Sequence, residues 1–428
     1  MFRNSLLMVL IPATLLMCDL AMAKDLPIPA QTITSELEMK VWISSGESFK
    51  KIGETPGTVE IPQCKYRAFS LTGLNEKNVT AYKKEISRLQ IRSVVFNGKA
   101  TDANLTAYID AGLFANITSL YFLACNNLLD ITPLTKLQNI TLLDFYSCNN
   151  LTDVTPLAKL QNLTLLRLRN CKNLTDIAPL AKLQNLTVLD LSSNRNLKDI
   201  TPLAKLQNLT ELHLSSCNNL PGIAPLAKLP RLTLLNLGWC NKLTDLTPLA
   251  KLQNLTTLDL RWCENLTDLA PLAKLKNLTR LSLAWNENLT DITPLAALGK
   301  LTLLDLGGCE EIQDIQPLAW LPSLVELDLH YCSKIKSFYP ISSHKNLEKL
   351  AVTLSHNDLS FLRNLHQLKE LNFVCCLKLD NIVPLERLRK LEKLQFYHCK
   401  LVTQGMADKI KRKLPNCRVS CAQITTYP

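Results

Sequence analysis

A leucine or isoleucine returns every 23 residues at Ile117, Ile140, Leu163, Leu186, Leu209, Leu232, Leu255, Leu278, Leu301, Leu324 and Leu347. Leu368 follows after 21 residues and Leu391 after 23 more, giving thirteen units. So strict a period limits the architecture. One such unit cannot bury its own apolar face, so the units must stack and share a core. A complete unit, 163–185, reads LTLLRLRNCKNLTDIAPLAKLQN. With its first leucine as position 1, Leu163, Leu166 and Leu168 are spaced LxxLxL, and 166–168 alternates with the period of a strand. Leu174, Ile177, Leu180 and Leu183 leave no room for a helical face of about 12 residues. The return segment is therefore expected to be extended or a short 3₁₀ turn. Pro179 fixes that turn, and eleven of the 21 prolines share its slot. Stacking in register would make a parallel sheet rising about 4.8 Å per rung.

The remaining columns follow from the same frame. Position 9 is cysteine in ten units, from Cys125 to Cys399, with Asn194, Asn286 and Ser355 in the other three. Exported chains with many cysteines usually use disulfides, but the period marks these as buried thiols facing turn backbone. A ladder one strand apart offers a metal no tetrahedral cage, so no metal site is expected. Cys417 and Cys421 are better placed for a bridge. Position 14 is aspartate in most units (Asp130, Asp153, Asp176 and onward). Just before the proline turn, such carboxylates accept turn N–H groups. The Asn-Leu-Thr strings at Asn162 and Asn185 match glycosylation sequons, but their residues belong to the repeat. Lys159, Lys182, Lys205, Lys228, Lys251 and Lys274 form a basic stripe on the return side.

The string LxxLxLxxCxxL resembles a leucine-rich repeat, and DIxPLAxLxxL, as at Asp176–Leu186, resembles the bacterial internalin type. The CxNLTD half is similar to cysteine-containing repeats. The resemblance implies an α/β leucine-rich repeat solenoid, with a curved parallel β-sheet, mostly 3₁₀ or extended return segments and a small N-terminal cap domain. It also implies that the concave sheet binds a partner. Internalins usually carry a wall anchor, and none is visible.

Residues 1–23 read as a secretory signal, with Arg3, an apolar run over Leu6–Met17 and cleavage expected after Ala23. Residues 24–110 are expected to form a β/α cap domain, 111–403 the repeats and 404–428 a C-terminal cap. Strands are predicted at Val41–Ile43 and Thr58–Ile61 around a Gly53–Gly57 turn containing Pro56. Helices are predicted at Glu76–Leu89 and Asp102–Phe114, with Asn75 and Thr101 as N-caps. A basic helix over Gln404–Leu414 and a strand over Arg418–Cys421 would close the other end.

Side chains alternate across a strand, so positions 3, 5 and 7 face the concave surface and position 8 ends the strand. Position 8 runs Ala124, Ser147, Asn170, Ser193, Ser216, Trp239, Trp262, Trp285, Gly308, Tyr331. Three of the five tryptophans thus stand on consecutive rungs. Three indoles in a row read as a flat apolar strip, with Arg261, Asp259, Arg280, Asp305, Asp328 and His330 beside them. The competing reading is mutual stacking that stiffens the sheet. A second, weaker group is Tyr121, Asp144, Tyr146, Arg167 and Arg169. Tyr331 belongs to the first group. These residues suggest an exported, non-enzymatic protein that binds a protein partner, with a glycan as the alternative. No cofactor or catalytic set is expected. Only 12 glycines occur, and no GxxxxGK[ST], HExxH, GxSxG or paired CxxC motif is found. The net charge of +11 reads as a mildly basic surface without a nucleic-acid module. A monomer without a transmembrane segment is expected. The unit Leu347–Gln367 is two residues short, which predicts a break in curvature near His356–Phe361.

Overall fold

The computed structural model describes residues 77–422, Leu74 and five strands between residues 31 and 70. The signal segment 1–23, the turn proline Pro56 and the N-cap Asn75 lie outside the described residues. The chain divides into two compact units, residues 1–171 and 172–428.

The first unit opens with β1 (Gln31–Ser35), β2 (Lys40–Ser44), β3 (Lys50–Glu54), β4 (Gly57–Ile61) and β5 (Tyr66–Ser70). The two predicted strands fall in β2 and β4. β1 pairs antiparallel with β4, and β2 pairs antiparallel with β3 and β5. Helix α1 (Val79–Arg88) begins at Asn78, which makes no side-chain cap. It is followed by β6 (Ser93–Asn97) and helix α2 (Asp102–Asp110). Thr101 caps α2 as expected: Thr101 Oγ1 accepts from Asn104 N–H (3.3 Å) and Asn104 Oδ1 from Thr101 N–H (2.8 Å).

The repeat begins earlier than its sequence period suggests. Strand β6 pairs in parallel and in register with β7 (Ser119–Leu123), β7 with β8 (Leu142–Tyr146), and β8 with β9 (Leu165–Arg167). Ile91, Val94 and Phe96 are buried at the LxxLxL positions. This rung escapes the count because α2, not a 3₁₀ turn, makes its return and lengthens the step to Ile117. Phe96, Phe122 and Phe145 replace leucine at position 6 and stack with centroids 5.2 and 4.8 Å apart.

In the second unit the strands are β10 (Val188–Asp190), β11 (Glu211–His213), β12 (Leu234–Asn236), β13 (Thr257–Asp259), β14 (Arg280–Ser282) and β15 (Leu303–Asp305). They continue as β16 (Glu326–Leu329), β17 (Lys349–Val352), β18 (Glu370–Val374) and β19 (Lys393–Tyr397). Each pairs in parallel with the next, always one repeat on, so equal letters become neighbours. Each return segment is a five-residue 3₁₀ turn such as Thr201–Lys205, closed by Leu203 N–H to the Ile200 carbonyl (3.0 Å). The helix α3 (Gln404–Lys413), capped by Thr403, and strand β20 (Arg418–Ala422), parallel to β19, match the predicted C-terminal cover.

The periodic polar columns hold this core in register. Asp199 Oδ1 accepts from Thr201 N–H at 2.7 Å, and the equivalent bond recurs at Asp130, Asp153, Asp176, Asp245, Asp268, Asp291 and Asp314. Thr233, Thr256 and Thr279 each donate their hydroxyl to the threonine carbonyl one rung back, at 3.0 to 3.1 Å. Asn208 and Asn254 donate their amides to the carbonyls of Gln184 and Pro230 (2.8 Å each), and Asn162 does the same to Gln138 in the first unit. The sequon residue Asn162 is therefore a ladder residue. The ten thiols are buried, and Sγ of Cys217 or Cys309 donates to the position-6 carbonyl of the preceding unit, Leu191 or Leu283, at 3.2 Å. Asn286 makes the same bond with an amide, to Leu260 O at 2.9 Å. Burial raises Cys171, Cys217, Cys240 and Cys309 to about 12, so they remain inert thiols. Cys417 and Cys421 are free thiols as well.

The short unit does not break the ladder. Strands β16, β17 and β18 pair without a shift, and a 3₁₀ turn forms at Ser360–Asn364 although its proline is absent. Elsewhere the position-8 N–H reaches the next rung's position-7 carbonyl, as in Trp285 to Gly307 (2.7 Å). Here Thr353 inserts its hydroxyl instead. It accepts from Tyr331 N–H and donates to the Val374 carbonyl, both at 2.7 Å. This relay spans the deletion, so the expected break near His356–Phe361 is not found.

Candidate functional site

Every rung except the short one turns its position 8 into the left-handed region. The φ values are +64° at Trp239, +58° at Trp262, +61° at Trp285, +77° at Gly308 and +57° at Tyr331. The chain turns there from strand to loop, and the short rung, with Leu354, is the exception. The backbone therefore constrains what this column can hold. The fold demands a residue that tolerates positive φ, and serine, asparagine or glycine fill six of the thirteen left-handed rungs. A tryptophan there costs roughly 1–2 kcal/mol of backbone strain.

The three indoles stack face to face. Trp239 and Trp262 have centroids 4.4 Å apart with planes at 13°, and Trp262 and Trp285 4.9 Å apart at 9°. This corrects the picture of a flat strip of ring faces, because the column presents ring edges. Two such pairs contribute on the order of 1–3 kcal/mol beyond their buried area. That is of the same order as the strain of left-handed tryptophans, and the ring area buried in the stack adds to it. The far end of the stack is closed. A Cβ at Gly308 would stand 2.5 Å from Cδ2 and Cε3 of Trp285, so only glycine lets that ring lie on the backbone. Tyr331 (5.7 Å, tilted) and His330 (5.8 Å, edge-on) then meet Trp285. At the near end Trp239 is 44% exposed, and the next rungs carry only Ser216 and Ser193.

The flanking charges divide into two groups. Asp259 was expected on the open surface, but it is 1% exposed. Arg261 folds over it, with Nε to Oδ2 at 2.8 Å and Nη2 to Oδ2 at 2.7 Å, which neutralises it in place. Asp305, Asp328 and His330 form the second group. His330 Nδ1 lies 2.5 Å from Asp328 Oδ1, and Ser282 Oγ donates to Asp305 Oδ2 at 3.0 Å. Burial and the neighbouring Asp328 charge push Asp305 up to about 6. Burial works against charge on His330, but Asp328 and then Asp305 hold its pKa above the ordinary value. Arg280 stands half-buried at position 3 of the Trp285 rung. In the first unit, Arg167 pairs with the buried Asp144 at 3.3 Å, and Arg169 lies over the exposed Tyr146 ring at 5.7 Å. Tyr121 is buried.

Sequence reading also missed a cap. Position-5 side chains accept from the N–H two residues on: Asp305 Oδ1 from Gly307 (3.0 Å), Asp328 from His330 (2.9 Å) and Asn236 from Gly238 (2.9 Å). The recurrence of Asp or Asn at that position was its visible signal. No group of three metal-ligating residues occurs among the described residues, and no helix there is long and apolar enough to cross a membrane.

Comparison with known proteins agrees with this geometry. A leucine-rich repeat family model matches residues 161–205, 207–251 and 253–297, and a BspA-type leucine-rich repeat model matches 350–427. No curated protein matches. Among solved structures, an internalin (InlF) of Listeria monocytogenes is 27% identical, covering 82% of this chain and 95% of its own, with a TM-score of 0.62. Internalin C2 of the same organism is 33% identical over 47% of this chain and 76% of its own, with a TM-score of 0.36. A leucine-rich repeat protein of Leptospira interrogans is 20% identical, covering 80% of this chain and 97% of its own, with a TM-score of 0.49. The 23-residue period, the strand and 3₁₀-turn unit, the two repeat models and the likeness to InlF lead to one family: the chain belongs to the leucine-rich repeat proteins and is a bacterial, internalin-like member of them.

Proposed function

We propose that this chain is an exported, non-enzymatic recognition protein that takes a protein partner on the concave face of its repeat sheet, centred on Trp239, Trp262 and Trp285. The observation that carries the reading is three bulky residues in a left-handed position that serine serves at Ser193 and Ser216. Serine meets the same backbone demand at Ser193 and Ser216, and exposed aromatic edges with interleaved charge suit a protein interface. A glycan is the second reading. Sugars stack on ring faces, and the column leaves uncovered only the outer face of Trp239, so the protein reading is favoured.

The test replaces all three tryptophans by serine, the residue that occupies the same left-handed position at Ser193 and Ser216. Bait prepared from wild type should retain a partner from cell envelope or culture medium, and the triple variant should lose it. A folded triple variant with undiminished capture would sink the proposal. Fluorescence quenching by a polysaccharide panel, abolished in Trp239→Ser, would shift the assignment to glycan.

A further inference from the structure

The lysine stripe on the return side has no part in the concave face. In the second unit it comprises Lys182, Lys205, Lys228, Lys251 and Lys274, the last residues of five consecutive 3₁₀ turns. All five are exposed, and among the described residues their ammonium groups have no hydrogen bond or ion pair. By contrast, Lys334 pairs with Glu311 (2.5 Å), Lys349 with Glu326 (2.8 Å) and Lys369 with Glu348 (2.8 Å). The turn itself needs no cation. On the next three rungs the same position holds Ala297, Trp320 and Ser343, in 3₁₀ turns of the same length.

Neighbouring residues leave the row unbalanced. The return segments 177–187, 200–210, 223–233, 246–256, 269–279 and 292–302 contain eight lysines and arginines and no aspartate or glutamate. The other three cations lean on uncharged partners: Arg231 on Asn208 Oδ1 (2.9 Å), Lys276 on the Ala297 carbonyl (3.0 Å) and Lys300 on Asn277 Oδ1 (2.7 Å). Asp176, Asp199, Asp245 and Asp268 stand at the opposite end of their turns, where Oδ1 accepts the first N–H at 2.7 or 2.8 Å. The Lys228 rung has Gly222 there, and Glu264 and Glu287 lie further back, in the loops that leave the strands. That end of a turn is roughly 10 Å from its lysine, beyond a Debye length of about 8 Å in physiological salt. Successive lysines, in contrast, step by about 5 Å from rung to rung, so their fields add along a single file.

We infer that this file is a docking surface for a flexible linear polyanion with a phosphate charge on each monomer and no bases. This goes beyond the concave-face reading and does not rest on it. Charge complementarity fixes the sign of the ligand, and the form of the row fixes its shape. A file one lysine wide, bordered by alanine, proline and glutamine, tracks a chain and gives a flat lipid surface little to touch. The six segments hold no aromatic side chain, so nucleobases would find no stacking platform. An ammonium is a compact charge that needs no paired geometry, which suits phosphates along a flexible chain.

The experiment titrates the full chain with short-chain inorganic polyphosphate, followed by calorimetry at several salt concentrations. Five contacts predict a log–log salt slope of about −3.5, a loss of roughly 100-fold in affinity between 50 and 200 mM salt. Changing all five lysines to alanine, the residue that serves at Ala297, should abolish the slope and most of the binding. The milder Lys205→Gln/Lys228→Gln/Lys251→Gln variant keeps the turns crowded by long side chains and should bring the slope to about −1.4. Alanine at Lys378, Lys400, Lys409, Lys411 and Lys413 removes the same charge elsewhere and should leave binding unchanged, as should the triple tryptophan variant. Polyglutamate of matched charge, oligothymidylate and phosphatidylglycerol vesicles should all bind more weakly than polyphosphate. Undiminished binding in the five-alanine variant, an unchanged slope in the glutamine variant or an equal loss in the displaced-charge variant overturns the inference. So does any of the three competitors binding as tightly as polyphosphate.

Discussion

Thr353 offers the sharpest test of how the repeat tolerates a deletion. Its hydroxyl is the only link between Tyr331 N–H and the Val374 carbonyl, with both bonds at 2.7 Å. Thr353→Val keeps the shape and removes both bonds. An orphaned buried carbonyl costs roughly 1–3 kcal/mol, and a partly buried N–H falls near the low end of that range. The expected loss is therefore about 2–4 kcal/mol. Thr353→Ser keeps the hydroxyl and should lose about 1 kcal/mol for its methyl group. Repeat arrays need not unfold as one body, so urea unfolding should be paired with hydrogen exchange. Exchange should rise first at Tyr331 and the strands flanking Thr353. A valine variant within about 0.5 kcal/mol of wild type, or a serine variant as damaged as valine, would refute the relay.

Three further outcomes follow from the same structure. Gly308→Ala places a methyl 2.5 Å from the Trp285 ring at a φ of +77°, so it should cost about 2–3 kcal/mol and shift the tryptophan emission as the stack opens; unchanged emission would contradict the closed end. Burial lowers the pKa of His344, so folding favours its neutral form. That stability is present above the ordinary histidine pKa of about 6.5 and is lost as pH falls below it. His344→Leu should flatten thermal stability between pH 5 and 7, and an unchanged slope would show the pH dependence comes from elsewhere. Native protein should leave the thiols of the position-9 column unmodified by a thiol reagent while Cys375 and Cys421, both half-buried, react first; prompt labelling of Cys217 or Cys309 would contradict their burial.

Much of this was legible in the letters, because a strict period turns chain position into place. The LxxLxL spacing gave the parallel rungs, the proline slot the 3₁₀ turns, and the aspartate and cysteine columns their bonding roles, since each rests on local geometry that recurs from unit to unit. The first rung, Ser93–Asn97, was not legible, because α2 breaks its spacing. Nor was the repair at Thr353, where one hydroxyl bridges rungs 21 residues apart.

The sequence by itself determined which residues share a column, and so that three indoles, and Asp305 with Asp328, would be neighbours. Only the tertiary structure decided how they meet. The left-handed turn at position 8 tips the indoles into a stack with edges outward, Arg261 seals Asp259, and His330 is left between two carboxylates. The physical reason is that a period fixes which rung and column a residue occupies. The backbone angle at the strand's end and the packing across rungs fix the direction in which each side chain points.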